Sequence, residues 1–378
     1  MASMTGQMPG KPAAMPDELP DETPEIFVPN LNKRFTGVSS TARAVMQRHL
    51  AGPQGARHNV ALVGVGLPGL PDPISKAQAL RLSRKAPKGK RFSIWHTRRN
   101  TEMALAIFAR DVLRLPVRIV FTSAAKHVHS LLPRLLISRM DRIIATSDDA
   151  ARCVGRHDAV IPHGVDIDRF HPAADRAADW AATGYPGRYG IATVGRVRPS
   201  KGSDLFVEAM IRALPQLPGA TALVIGLAKP SEAAFLAKLK ARVAEAGLTE
   251  RILFTGMIPD DALLTVLRGC RLLCSTARYE PFGVTPLEGM ASGLPIVATA
   301  TGHFAEAVGT ATDDDQCGVI VPLEDVPAIA EAVVWALSDQ DRYDRLARNA
   351  RARVERLFSI QREADKISAV YEELWQNG

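Results

Sequence analysis

Twelve short apolar runs, six in each half of the chain, alternate with stretches of helical periodicity, and this alternation constrains the fold more than any single motif. In the first half the runs lie at residues 25–28, 59–63, 92–95, 118–121, 142–146 and 159–161. Helices are predicted there from about Ser39 and over 101–113 and 131–139. In the second half the runs lie at 189–194, 221–225, 251–254, 271–275, 296–299 and 318–321, with helices over 204–214, 232–246, 260–267, 326–337 and 341–358. Parallel strands need a long crossover, usually a helix, so strands separated by helices predict doubly wound parallel sheets. Between the two series stands Pro162-His-Gly-Val-Asp-Ile-Asp-Arg-Phe. The stretch that follows, up to Gly190, is rich in Gly, Pro and Ala-Asp and reads as a linker. At 378 residues the chain has room for two domains of ordinary size. The expected fold class is α/β, with two Rossmann-like domains at residues 25–170 and 188–358 facing across a cleft. A last helix spans about 360–378. Residues 1–24 lack the apolar core of a signal peptide and are rich in Pro, Asp and Glu, so they read as a disordered leader.

Residues 278–295 carry the densest signals: Arg-Tyr-Glu-Pro-Phe-Gly-Val-Thr-Pro-Leu-Glu-Gly-Met-Ala-Ser-Gly-Leu-Pro. A buried strand precedes them, and Pro281 and Gly283 break the backbone. A helix then starts, with Thr285 as N-cap, Pro286 at the first helical position and Glu288 three residues after the cap. Gly293 ends it. Backbone N–H groups at such a start attract anionic or hydroxyl-rich ligands. Glu280 and Glu288 flank the turn, and carboxylates suit sugar or ribose hydroxyls because each oxygen accepts well-aligned O–H bonds. Glu288 can equally do no more than complete a capping box. Glu280 has no such local role.

Gly195-Arg-Val-Arg-Pro-Ser-Lys-Gly follows the first strand of the second half. It is not a P-loop. Ser200 stands where a Gly should precede the Lys, and Gly202 follows Lys201 in place of Ser or Thr. Arg196 and Lys201 nevertheless sit at the C-terminal end of a strand, where open α/β sheets bind ligands. Two cations there can neutralise a departing diphosphate. In Phe254-Thr-Gly-Met-Ile-Pro, Met257 and Ile258 can meet a nucleotide base or pack into the core. Asp313-Asp314-Asp315 has no strand before it and reads as a polar loop, so no metal site is expected.

In the first half, Asn30-Leu-Asn-Lys-Arg-Phe-Thr-Gly is a strand–loop–helix opening, with Gly37 in the turn and Lys33 and Arg34 in the loop. Trp95-His-Thr-Arg-Arg-Asn ends a strand. His96 can therefore reach a cleft, although a lone His is more often structural. Arg98, Arg99 and Lys126 can meet an anionic acceptor. His127 and His129 are secondary candidates, and His163 in the hinge reads as structural.

Charge is uneven. Residues 1–180 hold 26 Lys/Arg against 16 Asp/Glu, while the remainder holds 21 against 24. Residues 76–99 hold nine basic residues and no acid. A basic half points to an anionic partner such as a membrane surface, a nucleic acid or a phosphorylated acceptor, or is simply a solvated face. No stacking platform of aromatic and basic residues speaks for nucleic acid. No apolar run approaches the ~20 residues needed to cross a bilayer. The four cysteines contain no Cys-x-x-Cys and read as small buried thiols of a reducing compartment.

The stretch Glu280-Pro-Phe-Gly-x-x-x-Leu-Glu288-Gly-Met-Ala-Ser-Gly-Leu-Pro resembles the motif of the retaining glycosyltransferases of family 4, which have the GT-B fold. That resemblance implies Glu280 beside the donor sugar and Glu288 on the nucleotide ribose. It also implies donor-facing backbone N–H groups at Phe282, Gly283 and Val284. Gly195, Arg196 and Lys201 match the family's Gly-Arg…Lys-Gly segment, which holds the diphosphate. His96 falls where the family often has a sugar-contacting His, and Met257 and Ile258 fall at its base-contacting turn. The last helix is implied to pack back on the first domain. Asn30 to Thr41, Trp95 to Met103 and His163 to Phe170 further resemble the lipopolysaccharide core mannosyltransferases of alphaproteobacteria. This implies GDP-mannose as donor, a Kdo residue on lipid A as acceptor, no metal or other cofactor, and a cytoplasmic enzyme peripheral to the inner membrane. Open alternatives are UDP-glucose or another nucleotide sugar, another glycan or lipid acceptor, a sugar-nucleotide hydrolase or epimerase of the same fold, and a non-catalytic scaffold for an anionic ligand.

Overall fold

A computed structural model describes residues 22–34, 36–51, 58–125, 127, 130–280, 282–309 and 315–378. Most of the leader, Lys126, His129, Asp313 and Asp314 lie outside these residues. The first half forms one parallel sheet of six strands: β1 (Ile26–Asn30), β2 (Val60–Gly64), β3 (Ser93–Thr97), β4 (Val117–Ser123), β5 (Arg142–Ala145) and β6 (Ala159–Val160). Its helices are α1 (Gly37–Leu50), α2 (Lys76–Leu82), α3 (Asn100–Ile107), α4 (Leu131–Ser138) and α5 (Asp148–Val154). A π-helical turn, Phe108–Val112, extends α3. Every residue of β1 and β3 is buried, as a parallel sheet covered on both faces requires.

The sheet order is β2-β1-β3-β4-β5-β6. The elements α2, α3 and α4 pack on one face through Ala79, Met103, Ala106 and Ile137. The helix α2 was not expected. A capping box starts it, with Ser75 accepting from the Gln78 N–H and Gln78 returning the bond.

The second half begins with α6 (Arg176–Ala182), inside the stretch expected to be a linker. Asp175 caps it, accepting from the N–H groups of Ala177 and Ala178, and Trp180 anchors it. The Trp180 ring packs on Gly190, where a Cβ would lie 2.4 Å from it, and the Trp180 backbone packs on Gly269, where a Cβ would lie 2.7 Å from its Cα. The second sheet comprises β7 (Tyr189–Val194), β8 (Ala220–Ile225), β9 (Ile252–Gly256), β10 (Cys270–Ser275), β11 (Ile296–Thr299) and β12 (Gly318–Val321), ordered β12-β11-β10-β7-β8-β9. This is the Rossmann order, reversing direction between β7 and β10. Its helices are α7 (Ser203–Ala213), α8 (Ala233–Glu245), α9 (Asp260–Gly269), α10 (Thr285–Ala291), α11 (Phe304–Val308), α12 (Val326–Ser338) and α13 (Gln340–Leu357).

The last helix, α14 (Ile360–Asn377), returns to the first sheet beside α1. It buries Ile360, Ile367, Val370, Tyr371, Leu374 and Trp375 against Val45, Met46 and Phe92, each such side chain contributing about 1.5–3 kcal/mol. The two places where the chain passes between halves are bonded to each other. The Val165 N–H donates to the Phe358 carbonyl at 2.8 Å, and the Ile360 N–H donates to the Val165 carbonyl at 2.9 Å. The Glu363 carboxylate accepts from the Gly164 N–H at 2.7 Å and bonds His163 Nδ1 at 2.8 Å. His163 thus holds the hinge together.

Candidate active site

The loops after β7 and β10 leave the second sheet at its switch point, the crevice where such sheets bind ligands. They are fastened to one another. Gly202 has φ +67, and a Cβ there would lie 1.7 Å from the Thr276 carbonyl oxygen, so no other residue fits this crossing. The Thr276 hydroxyl donates to the Gly202 carbonyl at 2.8 Å. Arg278 donates to both oxygens of Asp204 at 2.7 Å and also pairs with Glu324; these bonds hold its guanidinium pKa above the usual range. This frame brings Lys201 onto Glu280, with Lys201 Nζ donating to Glu280 Oε2.

Beside the pair lies a small space of about 30 Å³, lined by Gly195, Arg196, Lys201, Glu280, Gly283 and Phe304 among others. Arg196 is exposed and has no side-chain partner among the described residues. Gly283 has φ +78, and a Cβ there would lie 2.5 Å from the Phe304 ring. The ring of Phe282 is buried, stacked on His303 with centroids 4.5 Å apart.

The helix α10 starts one residue earlier than expected. Val284 is its N-cap, Thr285 is the first helical residue, and no side chain caps it. Glu288 therefore completes no capping box. Its carboxyl instead lines a cavity of about 990 Å³ between the two halves, with walls from α1, the hinge, α9 and α10. Burial raises its pKa from 4.5 to about 7; Arg169 opposes that shift and Asp260 adds to it. Glu280 and Glu288 thus face two different spaces on either side of one turn. Ile258 packs half-buried into the core, while Met257 is 74% exposed.

The first-half candidates are placed differently from expectation. His96 is fully buried and does not open on the cleft in this conformation. Its Nε2 bonds the Thr122 hydroxyl at 2.7 Å and its Nδ1 bonds the Tyr371 hydroxyl of α14. Burial, with the nearby Arg98 and His49 charges, drives its pKa well below 6.5, so the ring is neutral. Arg99 is not free for an acceptor. It donates to Glu102 at 2.8 Å, Ser39 at 3.0 Å, Thr36 at 3.1 Å and Asn30 at 3.2 Å, tying the β1–α1 loop to β3. The Arg98 Nη1 is buried without a hydrogen-bond partner among the described residues; burial lowers its pKa, while Tyr371, Glu102 and Glu363 pull it back. Lys33 and Arg34 are exposed on the loop, and Gly37 is the first residue of α1, not a turn residue. His127 stacks on Tyr279, centroids 5.4 Å apart, so it reaches the motif loop of the other half.

Sequence reasoning missed the first-half wall of the large cavity, which is α1 itself. There Arg48 pairs with Asp166 and Asp168 of the hinge at 2.9 Å. Partners so far apart in sequence leave no local signal. Among the described residues, no group of three or more His, Cys, Asp or Glu side chains is placed to hold a metal ion. Asp315 is occupied by Arg353 and Arg356.

Two parallel doubly wound domains, with paired cations and carboxylates at the switch point of the second, define a nucleotide-sugar-transferring class of the GT-B type. Residues 180–353 match the family described as glycosyl transferases group 1. The chain is 40% identical over 356 residues to the lipopolysaccharide core biosynthesis mannosyltransferase LpsB of Rhizobium meliloti, covering 93% of this chain and 97% of that one. It is likewise 40% identical over 353 residues to LpcC of Rhizobium leguminosarum, of the same description, covering 93% and 96%. The chain therefore belongs to the group 1 glycosyltransferases. Among solved structures, Anabaena HepE in complex with UDP and glucose superposes with a TM-score of 0.75 at 15% identity, covering 93% of this chain and all of that one. This likeness concerns the fold.

Proposed function

We propose that the protein transfers mannose from GDP-mannose to a Kdo residue of the lipid A–core acceptor, with retention at the anomeric carbon. The observation that carries this reading is the near full-length 40% identity to two lipopolysaccharide core mannosyltransferases, in a chain that joins Lys201 to Glu280 at the sheet's switch point. Arg196 and Lys201 would stabilise the charge that builds on the departing diphosphate, taking the electrostatic role a metal has in other transferases. Glu280 would orient the sugar, and Glu288 would accept from the ribose hydroxyls. Acceptor attack on the same face as the leaving group lets the diphosphate oxygen take the acceptor proton. The bond from the anomeric carbon to the diphosphate breaks as the bond to the acceptor oxygen forms. The resting Lys201–Glu280 pair would open when the diphosphate arrives, since the space beside it holds little more than a water. Lys33 and Arg34, exposed on the loop before α1, would meet the anionic acceptor, with the half-buried Arg98 behind them, while His96 would position Thr122 and Tyr371. The protein would meet its glycolipid acceptor peripherally, at the cytoplasmic face of the inner membrane, as the likeness to lipopolysaccharide core mannosyltransferases suggests. Among the described residues no helix is long and apolar enough to cross a membrane.

The test is a transfer assay with purified protein, GDP-mannose and a Kdo–lipid A acceptor, read by mass spectrometry with and without EDTA. A product one hexose heavier and indifferent to EDTA is expected. Product from UDP-glucose but not GDP-mannose would overturn the donor assignment and keep the chemistry. Donor hydrolysis without acceptor extension would overturn transfer itself.

A further inference from the structure

The face of the first sheet covered by α2, α3 and α4 has a surface that its neighbours in the fold do not explain. The helix α4 is apolar on both sides. Ile137 is buried and Leu136 packs beside it on the sheet. On the outer side Leu131, Leu132 and Leu135 stand 83%, 64% and 64% exposed. The π turn after α3 and the residue beyond it expose Phe108, Val112 and Leu113 as well. Arg139, just past α4, pairs with Asp111 of that turn at 2.7 Å, so the ends of the two helices meet. Large apolar side chains grouped in this way mark an interaction surface.

Charge says what the surface meets. Residues 76–140 contain fifteen Lys/Arg and two acids, Glu102 and Asp111. Both acids are taken: Glu102 by Arg99, and Asp111 by Arg110 and Arg139. On α2 and the turn after it, Lys76, Arg81, Arg84, Lys85 and Lys88 are exposed with no carboxylate partner among the described residues, and so is Arg134 on α4. Protein–protein interface cores are depleted in Lys. Single-stranded nucleic-acid sites interleave cations with several aromatic rings, and this face exposes just Phe108 among the described residues. Exposed leucines on a face that also carries unneutralised cations, with no free carboxylate among residues 76–140, match an anionic bilayer: the apolar side chains enter the acyl boundary while the cations bind headgroups.

We propose that the α2–α3–α4 face docks the protein on an anionic lipid bilayer, with Leu131, Leu132 and Leu135 as the inserted wedge. The proposal deepens the glycolipid-acceptor reading and rests on it for its purpose. The helix α4 starts at the C-terminal end of β4. That end of the sheet faces the cleft, because the loop after β2 lines the large cavity. Docking there would lay the cleft rim against the headgroups.

The experiment is flotation of the full chain with vesicles of phosphatidylcholine containing about a third phosphatidylglycerol, and with phosphatidylcholine alone. The expected result is flotation with the anionic vesicles, none with the neutral ones, and release as salt shortens the Debye length. L131S/L132S/L135S should lower the bound fraction about tenfold, and K85E/K88E should lower it severalfold. Both variants should keep the parent melting temperature and GDP-mannose binding. If GDP-mannose fails to bind any of the proteins while flotation behaves as stated, the donor reading fails and the docking stands. Equal flotation of the leucine variant and the parent would overturn the proposal, as would equal flotation on both vesicles. A parent dimer that the leucine variant dissociates, with no flotation, would make this face a contact between two copies instead.

Discussion

Replacing Glu288 by Gln should make the protein more stable at high pH and a poorer binder of its nucleotide. The Glu288 carboxyl is raised from 4.5 to about 7 chiefly by burial, so the folded protein holds a proton there that the unfolded chain has released. The sign follows directly. Below pH 4.5 the carboxyl is neutral in both states and costs nothing. Between 4.5 and 7 the cost grows with pH, and above 7 it is constant. The shift is worth about 3 kcal/mol at 1.36 kcal/mol per unit. The cleft wets one edge of the carboxyl, so this figure is a ceiling. Gln carries no charge at any pH, so E288Q and the parent should melt together at pH 4.5 and separate towards pH 8. A domain of this size gains about 2–4 °C per kcal/mol, which sets the gap at up to roughly 6–12 °C. The same substitution removes charged acceptors for the ribose hydroxyls and should weaken GDP binding by about ten- to a hundredfold at pH 8. Calorimetry across pH and isothermal titration with GDP read the two effects. Parallel melting curves from pH 4.5 to 8 would refute the burial argument. Unchanged GDP affinity would remove Glu288 from the nucleotide site.

Lys201→Ala should lower turnover by about 10²–10³-fold, as the loss of one preorganised charge does elsewhere. Its melting temperature should stay close to the parent's, because the Lys201–Glu280 pair opens on a wet crevice. Full turnover in that variant would take the lysine out of the mechanism. Maleimide should label the native protein at Cys153 alone. Cys270, Cys274 and Cys317 are buried, and burial pushes the thiols of Cys270 and Cys317 up to about 12. Mass spectrometry showing modification of Cys274 in the folded protein would contradict the packing of β10.

The alternation of strands and helices was legible because both sheets are covered on both faces, so strands such as β1 and β8 are buried throughout and read as apolar runs rather than weak alternating ones. The placing of Arg196, Lys201 and Glu280 in loops that follow two strands was legible too, but the Lys201–Glu280 contact was not, because it depends on β7 and β10 being neighbours in the sheet. The helix α6 was not. Its anchor, Trp180, depends on gaps at Gly190 and Gly269, and a composition of Ala, Asp and Gly looks like a linker until those gaps are seen. The signal for α2 was present, in Ser75 and Gln78, but it is a two-residue capping pattern at the start of a short helix dominated by positive charge. His96 shows the harder limit. Sequence places it at the end of a strand, yet the decision between cleft and core rests with Thr122 and with Tyr371, 275 residues further on.

The position of α14 has a consequence for how the molecule is made. The first sheet's core is completed by Ile360, Ile367, Tyr371 and Trp375, which leave the ribosome after the whole second domain. The first domain must therefore wait, partly bare along α1, while about 190 further residues are synthesised, some tens of seconds at ordinary rates. The second domain has no such delay and can fold while still being extruded. Order of synthesis and order of folding are thus reversed between the two halves. A fragment ending at residue 170 should be insoluble when expressed alone, and supplying residues 360–378 on a short tether should rescue it.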